Sequence, residues 1–311
     1  MPQNPAPERA TLRQTASLIT CDIATGERQV VFTSSDLLFA APNWSSDGRW
    51  LVVNGDGQLF KIRAPGAPDE PGRPEQTGRP ELERIDLGPI PAINNDHVLS
   101  ADGATVYVSA ADGHLWAAAL DGSDQHVITN DHGETFRHYL HGLSPDQRTL
   151  AYTGLTQLVG DARTTTNILA IPVAGGADIH VTDDEFVDDG PEFGPDGRWI
   201  YFNSERASAD PGHAQLFRIS IDGETLEQLT DDERVNWFAH PAPDDSVLAY
   251  LSFPPGTLGH PPDVEVLLRL RYPDGSIRDL TTVFGGQGTM NVPSWSPDSR
   301  QVAFVEYSVP A

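Results

Sequence analysis

The segment Ser294-Trp295-Ser296-Pro297-Asp298-Ser299 decides the fold, because the chain contains it in related form six times. Each copy places proline or a small residue before an aspartate, and glycine or a polar residue after it. This is turn chemistry: proline presets φ, aspartate bonds the local backbone and glycine accepts a positive φ. The aspartates of the six copies are Asp47, Asp102, Asp146, Asp196, Asp244 and Asp298.

A short β-rich run follows each turn, for example Trp199-Ile200-Tyr201-Phe202. A third run follows in most copies, as in residues 215–219, and a closing run ends near Leu-Thr or Ile-Thr, as at Thr230. Four short strands in a period of about 50 residues are typical of one propeller blade. The sequence therefore predicts an all-β fold, a six-bladed β-propeller of four-stranded blades.

The two ends of the chain complete each other. After the last turn, only one more strand fits, at residues 301–307. The missing outer strands are available at the start of the chain, at residues 17–23 and 28–33. If these strands pair with the C-terminal strand, the ring closes and no sheet edge stays open.

We expect one domain over residues 1–311. Residues 1–13, which contain three prolines, are interpreted as a flexible N-terminal segment. Residues 64–80, rich in Pro, Gly, Glu and Arg, are interpreted as an exposed loop insertion in the first blade.

Charge and composition exclude several classes of function. Forty-five acidic residues against twenty basic ones give a net charge of −25, a field that repels nucleic acid. No apolar run approaches the roughly 18 residues of a membrane span. We expect a cytoplasmic location, because the first residues show no signal peptide and the single cysteine, Cys21, excludes an internal disulfide.

In a propeller, the segments before the innermost strands share one face with the loops between second and third strands. Here these positions are rich in polar side chains. Candidate metal ligands occupy corresponding places in four successive blades, four or five residues before the turn aspartate, and a divalent ion (Mn, Ca, Mg or Zn) suits their chemistry. The alternative is that these side chains only satisfy strand ends and channel waters. The four candidates are His97, His141, Glu192 and His240.

Other residues of this face are candidates for ligand binding and catalysis. Trp237 could stack on a sugar ring, or belong to the core. Asp188, Asp189 and His138 are the candidate acid/base residues, since neighbouring carboxylates raise each other's pKa; one aspartate could instead only tie down its loop. The candidate ligand-binding residues are Asn95, Arg206, Trp237, His260, Gln287 and Asn291.

The turns of the Trp-Ser-Pro-Asp type, followed by Ile/Val-aromatic strands, resemble the repeat of the TolB-like propeller family over nearly the whole chain. Matching stretches include Tyr201-Phe202-Asn203-Ser204 and Asn236-Trp237-Phe238-Ala239-His240. The resemblance implies a six-bladed ring and, as in TolB, a role in protein interaction. Oligogalacturonate lyases have a similar propeller, which implies a divalent metal held by His and Gln at one face.

Three functions follow as hypotheses. The first is a lyase or hydrolase that acts on a small polar, carbohydrate-like ligand with a divalent ion. The second is a ligand-binding propeller without catalysis. The third is an interaction scaffold for a protein partner.

Overall fold

The computed structural model describes residues 14–67, 81–157 and 164–309. Within these residues it contains twenty-three β-strands in six antiparallel sheets, which form the blades of a β-propeller. The described part forms no helix, and so none that could cross a membrane. The segment 1–13 and most of the 64–80 insertion lie outside the described residues.

Five blades have four strands, and the sixth combines strands from both ends of the chain. Blades 1 and 2 consist of β3 (Phe39–Trp44), β4 (Trp50–Gly55), β5 (Gln58–Arg63) and β6 (Glu83–Ile85), and of β7 (Ile93–Leu99), β8 (Thr105–Ala110), β9 (Leu115–Ala119) and β10 (His126–Val127). Blades 3 and 4 consist of β11 (Phe136–Leu143), β12 (Thr149–Gln157), β13 (Thr164–Pro172) and β14 (Ile179–His180), and of β15 (Asp188–Phe193), β16 (Trp199–Ser204), β17 (Gln215–Ser220) and β18 (Leu226–Gln228). Blade 5 consists of β19 (Val235–Pro241), β20 (Leu248–Phe253), β21 (Pro262–Arg271) and β22 (Ile277–Gly286), and blade 6 of β1 (Thr15–Asp22), β2 (Arg28–Ser34) and β23 (Gln301–Ser308).

The ring closes as the sequence predicts. Strand β1 lies between β2 and β23, with Thr15 opposite Ser308 and Asp22 opposite Gln301. An isolated bridge between Trp295 and Val302 stands where the innermost strand of this blade is expected. The six-bladed fold and its closure by the two chain ends are therefore confirmed.

The six repeated turns form one face, here called the turn face, which joins the first strand of each blade to the second. In every turn the aspartate Oδ1 accepts the backbone N–H two residues further on, as from Arg49 to Asp47 at 2.9 Å. The residue after the aspartate has a positive φ in all six copies. Glycine fills this place in three copies, whereas Gln147, Asp245 and Ser299 adopt φ of 64°, 58° and 60°. The repeat thus encodes one backbone shape, with or without glycine.

The hydrophobic core lies between consecutive blades. Leu115 of blade 2, for example, packs in one cluster with Leu140 and Tyr152 of blade 3, and all three are fully buried. Full burial of such a side chain contributes about 1.5–3 kcal/mol relative to exposure. Each blade is therefore held mainly by its two neighbours.

The innermost strands β3, β7, β11, β15 and β19 each carry an irregularity of register near their midpoint. At three of these bulges a backbone N–H of the innermost strand donates to a side chain of the preceding blade. The acceptor is in each case the fifth residue of that blade's second strand. Ser109 Oγ accepts from Leu140, Thr153 Oγ1 from Gly190, and Asn203 Oδ1 from Phe238, at 2.7, 3.3 and 3.2 Å. A bulge changes which way the following side chains point, so it decides which residues meet.

Candidate functional site

The site face lies at the other end of the strands, where the innermost strands begin and where the loops between second and third strands lie. Val235, the first residue of β19, pairs with Phe253, the last residue of β20, so the loop that carries His260 shares the end at which β19 starts. The same reasoning places Asp188, the first residue of β15, on this face. The topological expectation from the sequence therefore agrees with the strand register.

Asp189 is the centre of a buried polar network on this face. Its Oδ1 accepts hydrogen bonds from Thr153 Oγ1 and from the Gly190 backbone N–H, both at 2.7 Å. His141 Nε2 lies 3.5 Å from Oδ1, and His260 Nε2 lies 3.7 Å from Oδ2. Burial alone would raise the pKa of Asp189, but the two histidines and their charges hold it well below its usual range. The carboxylate is therefore ionised and held between two imidazoles from blades 3 and 5.

His141 is the cationic partner of this carboxylate. It is 5% exposed, and its Nδ1 donates to the carbonyl oxygen of Asn291 at 3.1 Å. Burial would lower its pKa, but Asp96 and Asp189 outweigh that effect and raise the pKa to about 9. Burial raises the pKa of Asp96, which the His141 charge opposes. At neutral pH His141 is consequently protonated.

His260 lies at the more open side of the network, with 11% of its side chain exposed. Its Nδ1 contacts Gln287 Oε1, and Gln287 Oε1 also accepts from Asn291 Nδ2 at 3.0 Å. Three predicted ligand-binding residues are thus brought together. We call the set formed by Asp189, His141, His260, Gln287 and Asn291 the Asp189 network.

Trp237 is buried against His260 of this network and is not exposed to a ligand. Its residue is 2% exposed, and its ring centroid is 4.3 Å from that of His260. The ring therefore belongs to the core between blades, and a sugar cannot stack on it in this structure. The prediction of a stacking platform at Trp237 is corrected accordingly.

The four predicted metal ligands are not brought to one point. His240 Nδ1 lies 2.6 Å from Glu192 Oε2, and His240 Nε2 lies 3.2 Å from the carbonyl oxygen of Met290. His141 belongs to the Asp189 network instead. Burial raises the pKa of Glu192, an effect opposed by the His240 and His141 charges. Glu192 and His240 form a closed pair.

His97 is the furthest departure from the expected metal site. Its Nδ1 lies 3.0 Å from the carbonyl oxygen of Asn95, and its Nε2 lies 3.2 Å from that of Val52 in the preceding blade. Complete burial lowers its pKa to about 4, so the ring is neutral and its one N–H donates to one of these two carbonyl oxygens. Over residues 14–67, 81–157 and 164–309, no group of three or more His, Cys, Asp or Glu is arranged to hold a metal ion. The residues do not fit the ion that the sequence led us to expect.

Asp188, predicted as an acid/base residue, forms an ion pair with Arg206, predicted as a ligand-binding residue. Arg206 Nη2 donates to Asp188 Oδ2 at 2.6 Å and lies 3.2 Å from Asp184 Oδ2. The guanidinium also lies over the ring of Phe202, at 5.4 Å from its centroid. This arrangement agrees with the alternative in which one aspartate ties down the loop before blade 4. Asn95, 6% exposed, offers its carbonyl oxygen to His97.

His138 lies in a different place from the Asp189 network. It lines a pocket of about 390 Å³ between blades 2 and 3, together with His132 and with His114, which the sequence did not single out. Tyr152 and Thr153 are neighbours on β12, so their side chains point to opposite sides of blade 3. Tyr152 packs on His138 on one side, and Thr153 contacts Asp189 on the other. Blade 3 therefore separates the two sites.

Thr153 was missed by the sequence reasoning. The available signal was the shared polar character of the fifth residue of the second strand, which is Ser109 in blade 2 and Asn203 in blade 4.

Comparison with known proteins places the chain in a family. No protein-family model matches it. Protein Atu1656 of Agrobacterium fabrum is 34% identical over 297 residues, which are 94% of this chain and 92% of the relative. The structure of a TolB candidate from Agrobacterium tumefaciens is 32% identical, with a TM-score of 0.81 over 96% of this chain and 99% of that chain. An oligogalacturonate lyase in complex with manganese shares the fold alone, at 14% identity and a TM-score of 0.57 over 92% of this chain and 77% of that chain. The chain belongs to the TolB-like family of six-bladed β-propellers.

Proposed function

We propose that the protein binds a small polar, carbohydrate-like ligand on the site face and acts on it as a lyase or hydrolase through the Asp189 network. The observation that carries this proposal is the convergence of His141 and His260, from two blades, on one buried carboxylate.

The energetics of the network support a functional role. An ionised carboxylate as buried as Asp189, at 4% exposure, carries a desolvation cost of several kcal/mol. Apolar residues of similar volume often give a fold equal or greater stability at the same place. Buried groups with strongly shifted pKa values, held by named charge partners, are concentrated at functional sites.

His260 is the side chain of the network best placed to exchange a proton with a ligand. Its Nε2 faces Asp189, part of the side chain is exposed, and its Nδ1 contacts the Gln287 amide oxygen, which a ligand would have to displace to reach that nitrogen. A carboxylate that orients an imidazole is the usual arrangement of a general acid/base histidine. Both proton abstraction beside a carboxylate, as in a lyase, and protonation of a leaving group, as in a hydrolase, need such a residue.

No step is assigned to a metal ion, because the described residues do not assemble a ligand group for one. The lyase with manganese is a distant neighbour, and its name motivates the choice of oligogalacturonate among the substrates to test. The net charge of −25 favours neutral saccharides over polyanionic ones at long range, so both kinds belong in the panel.

The test is a panel of neutral and acidic oligosaccharides, assayed for new reducing ends and for unsaturated products with the full chain. His260→Ala is expected to lower the turnover of any active substrate by about 100-fold or more, the usual weight of an acid/base residue. His180→Ala, on the exposed outer strand β14, is the matched control and should leave the rate unchanged. Equal rates in His260→Ala and the unsubstituted protein would contradict the proposal.

Binding without product formation would favour the non-catalytic alternative, and His260→Ala should then weaken the affinity instead. A scaffold role is favoured by the likeness to the TolB candidate. If the saccharide panel gives neither binding nor turnover, while an immobilised full chain retains a partner that His260→Ala also retains, the scaffold replaces the enzyme.

A further inference from the structure

The pocket between blades 2 and 3 is separate from the Asp189 network and has its own chemistry. Its volume of about 390 Å³ is within the range of small-molecule sites. Three histidines, three carboxylates, one arginine and one phenylalanine line it. With Gly133, these are Asp112, His114, Asp131, His132, Glu134, Phe136, Arg137 and His138.

His138 presents an acceptor without a partner. It is 2% exposed, and its Nδ1 donates to the carbonyl oxygen of Gly113 at 2.7 Å, which leaves a lone pair on Nε2. Nε2 is buried and has no hydrogen-bond partner among the described residues. Burial, with a smaller contribution from His114 and His132, lowers the pKa of His138 to about 4. The ring is neutral at neutral pH, and a buried acceptor of this kind favours a donor from outside.

Two imidazoles of the pocket pack near the ring of His138. The ring centroids of His114 and His132 lie 5.8 and 5.6 Å from that of His138. The His132 side chain is 36% exposed and is held by Asp178 Oδ2, 2.9 Å from its Nε2. His132 is therefore the exposed side chain that a ligand would displace to reach His138.

The charge of the lining selects the sign of that ligand. Asp112, Asp131 and Glu134 are acidic, against a single Arg137. The Arg137 Nη1 donates to the carbonyl oxygens of Glu134 and Phe136, at 3.0 and 2.9 Å, so part of its donor capacity is already used. The three carboxylates outnumber the one arginine, and the negative charge of the whole chain adds to that field. Anions are disfavoured here.

We propose that this pocket binds a small organic cation that carries N–H donors, such as a primary ammonium, which donates to His138 Nε2. Asp131 and Glu134 at the rim balance its charge, and the Phe136 ring, 4.8 Å from that of His138, supplies an aromatic wall that attracts cations. The pocket does not depend on the function proposed for the Asp189 network.

The test measures binding of n-butylammonium and tetramethylammonium to the full chain by calorimetry at constant ionic strength. Both ions carry one positive charge, but only the first has N–H donors. We expect n-butylammonium to bind about tenfold more tightly or better, as for one hydrogen bond with a charged donor. Equal affinities, or no binding of either ion, would overturn the proposal.

Variants locate the binding. His138→Phe keeps a ring but removes the acceptor, and should weaken n-butylammonium binding about tenfold; Asp131→Asn with Glu134→Gln, at exposed positions, should weaken both ions without affecting folding. His126→Ala, on the exposed strand β10, is the control and should change neither affinity. His260→Ala should also leave both affinities unchanged, which separates this pocket from the site of the proposed function.

A divalent ion is the competing occupant, because neutral imidazoles also bind metals. If Zn²⁺ binds with one ion per chain, His138→Phe abolishes that binding and n-butylammonium does not compete, the pocket is a metal site and the organic cation is excluded.

Discussion

The two faces of the propeller use aspartate in opposite ways. On the turn face, Asp102 is solvent-exposed, and the Ser100 hydroxyl and the Ala104 N–H lower its pKa. On the site face, Asp189 is buried, and His141 and His260 lower its pKa against the effect of burial. The direction of the pKa shift is the same, yet the first group shapes a turn and the second holds charge inside the protein. Burial, rather than the direction of the shift, separates these two aspartates.

The largest effect is expected from opening the ring, on which both faces depend. Deletion of residues 1–34 takes away β1 and β2, exposes the edge of β23 and opens the ring. We expect no cooperative thermal unfolding, measured by circular dichroism, and aggregation on size-exclusion chromatography. A chain that begins at Gln14 is the control and should unfold cooperatively. Unchanged thermal stability after deletion of 1–34 would show that closure does not hold the ring.

The second test compares the two aspartates directly. Asp189→Asn leaves protonated His141 buried without its carboxylate, and we expect a loss of about 3–5 kcal/mol in the free energy of unfolding. Asp102→Asn should cost much less, because water replaces the lost contacts. Denaturant unfolding of both variants at pH 7 measures the difference. Equal losses would remove the contrast between the faces.

The same variant tests the charge of His141. Because its folded-state pKa is about 9 and its unfolded value about 6.5, its contribution is complete below pH 6.5 and is lost as pH rises through about 9. The stability of the unsubstituted protein should therefore fall over this range. Asp189→Asn should make that part of the pH profile shallower, with the remaining slope due to Asp96, whereas a profile of unchanged slope would assign it to other groups.

A third test concerns His97, which lies away from the expected metal site. The pKa of His97 is lowered to about 4, so its contribution is present above pH 6.5 and is lost as pH falls through about 4. The difference corresponds to about 3 kcal/mol of stability. His97→Asn should make the acid limb of the unfolding profile shallower by that order, whereas exposed His126→Asn should not. A steep acid limb in His97→Asn would mean that His97 is not held neutral in the folded protein.

The smallest expected effect lies on the turn face. Asp245 is an exposed residue with φ of 58°, at the place that glycine fills in blade 4. Asp245→Gly should stabilise the protein by a few tenths to about 1 kcal/mol, because glycine adopts this left-handed backbone conformation without the steric cost of a side chain. Gly197→Ala, where the added Cβ meets only Pro145 at 3.7 Å, should destabilise it by a similar amount. If Asp245→Gly is destabilising instead, the aspartate makes a contribution beyond its backbone shape.

The turn face could be predicted from the sequence because its information is local. Asp47 and Gly48 shape their turn through neighbours two or three residues away, and the same pattern appears six times. The site face could not be predicted in the same way. His97 and His141 stand five residues before the turn aspartate and His240 stands four, so they take different places at or after a bulge that the repeat does not reveal, and each meets different partners. Local patterns do not encode the direction of a side chain after a bulge.

Trp237 and Arg206 show the other reason. Both residue types suit a ligand site, and both lie at the expected end of their strands. The structure gives each a protein partner, His260 for Trp237 and Asp188 for Arg206. Pairing across blades depends on the angle between sheets, which no single segment specifies. The role of His138, Asp188 and Asp189 in catalysis and the cytoplasmic location stay predictions.

The pairing of β1 with β23 has a consequence for how the protein is made. Strand β1 leaves the ribosome long before its partner in the ring, since Thr15 pairs with Ser308. Until then β1 and β2 form at most a two-stranded hairpin, which is marginally stable on its own in water. Contacts so distant in sequence form slowly. The nascent chain therefore keeps an unpaired strand edge, exposed to aggregation, until β23 has been synthesised.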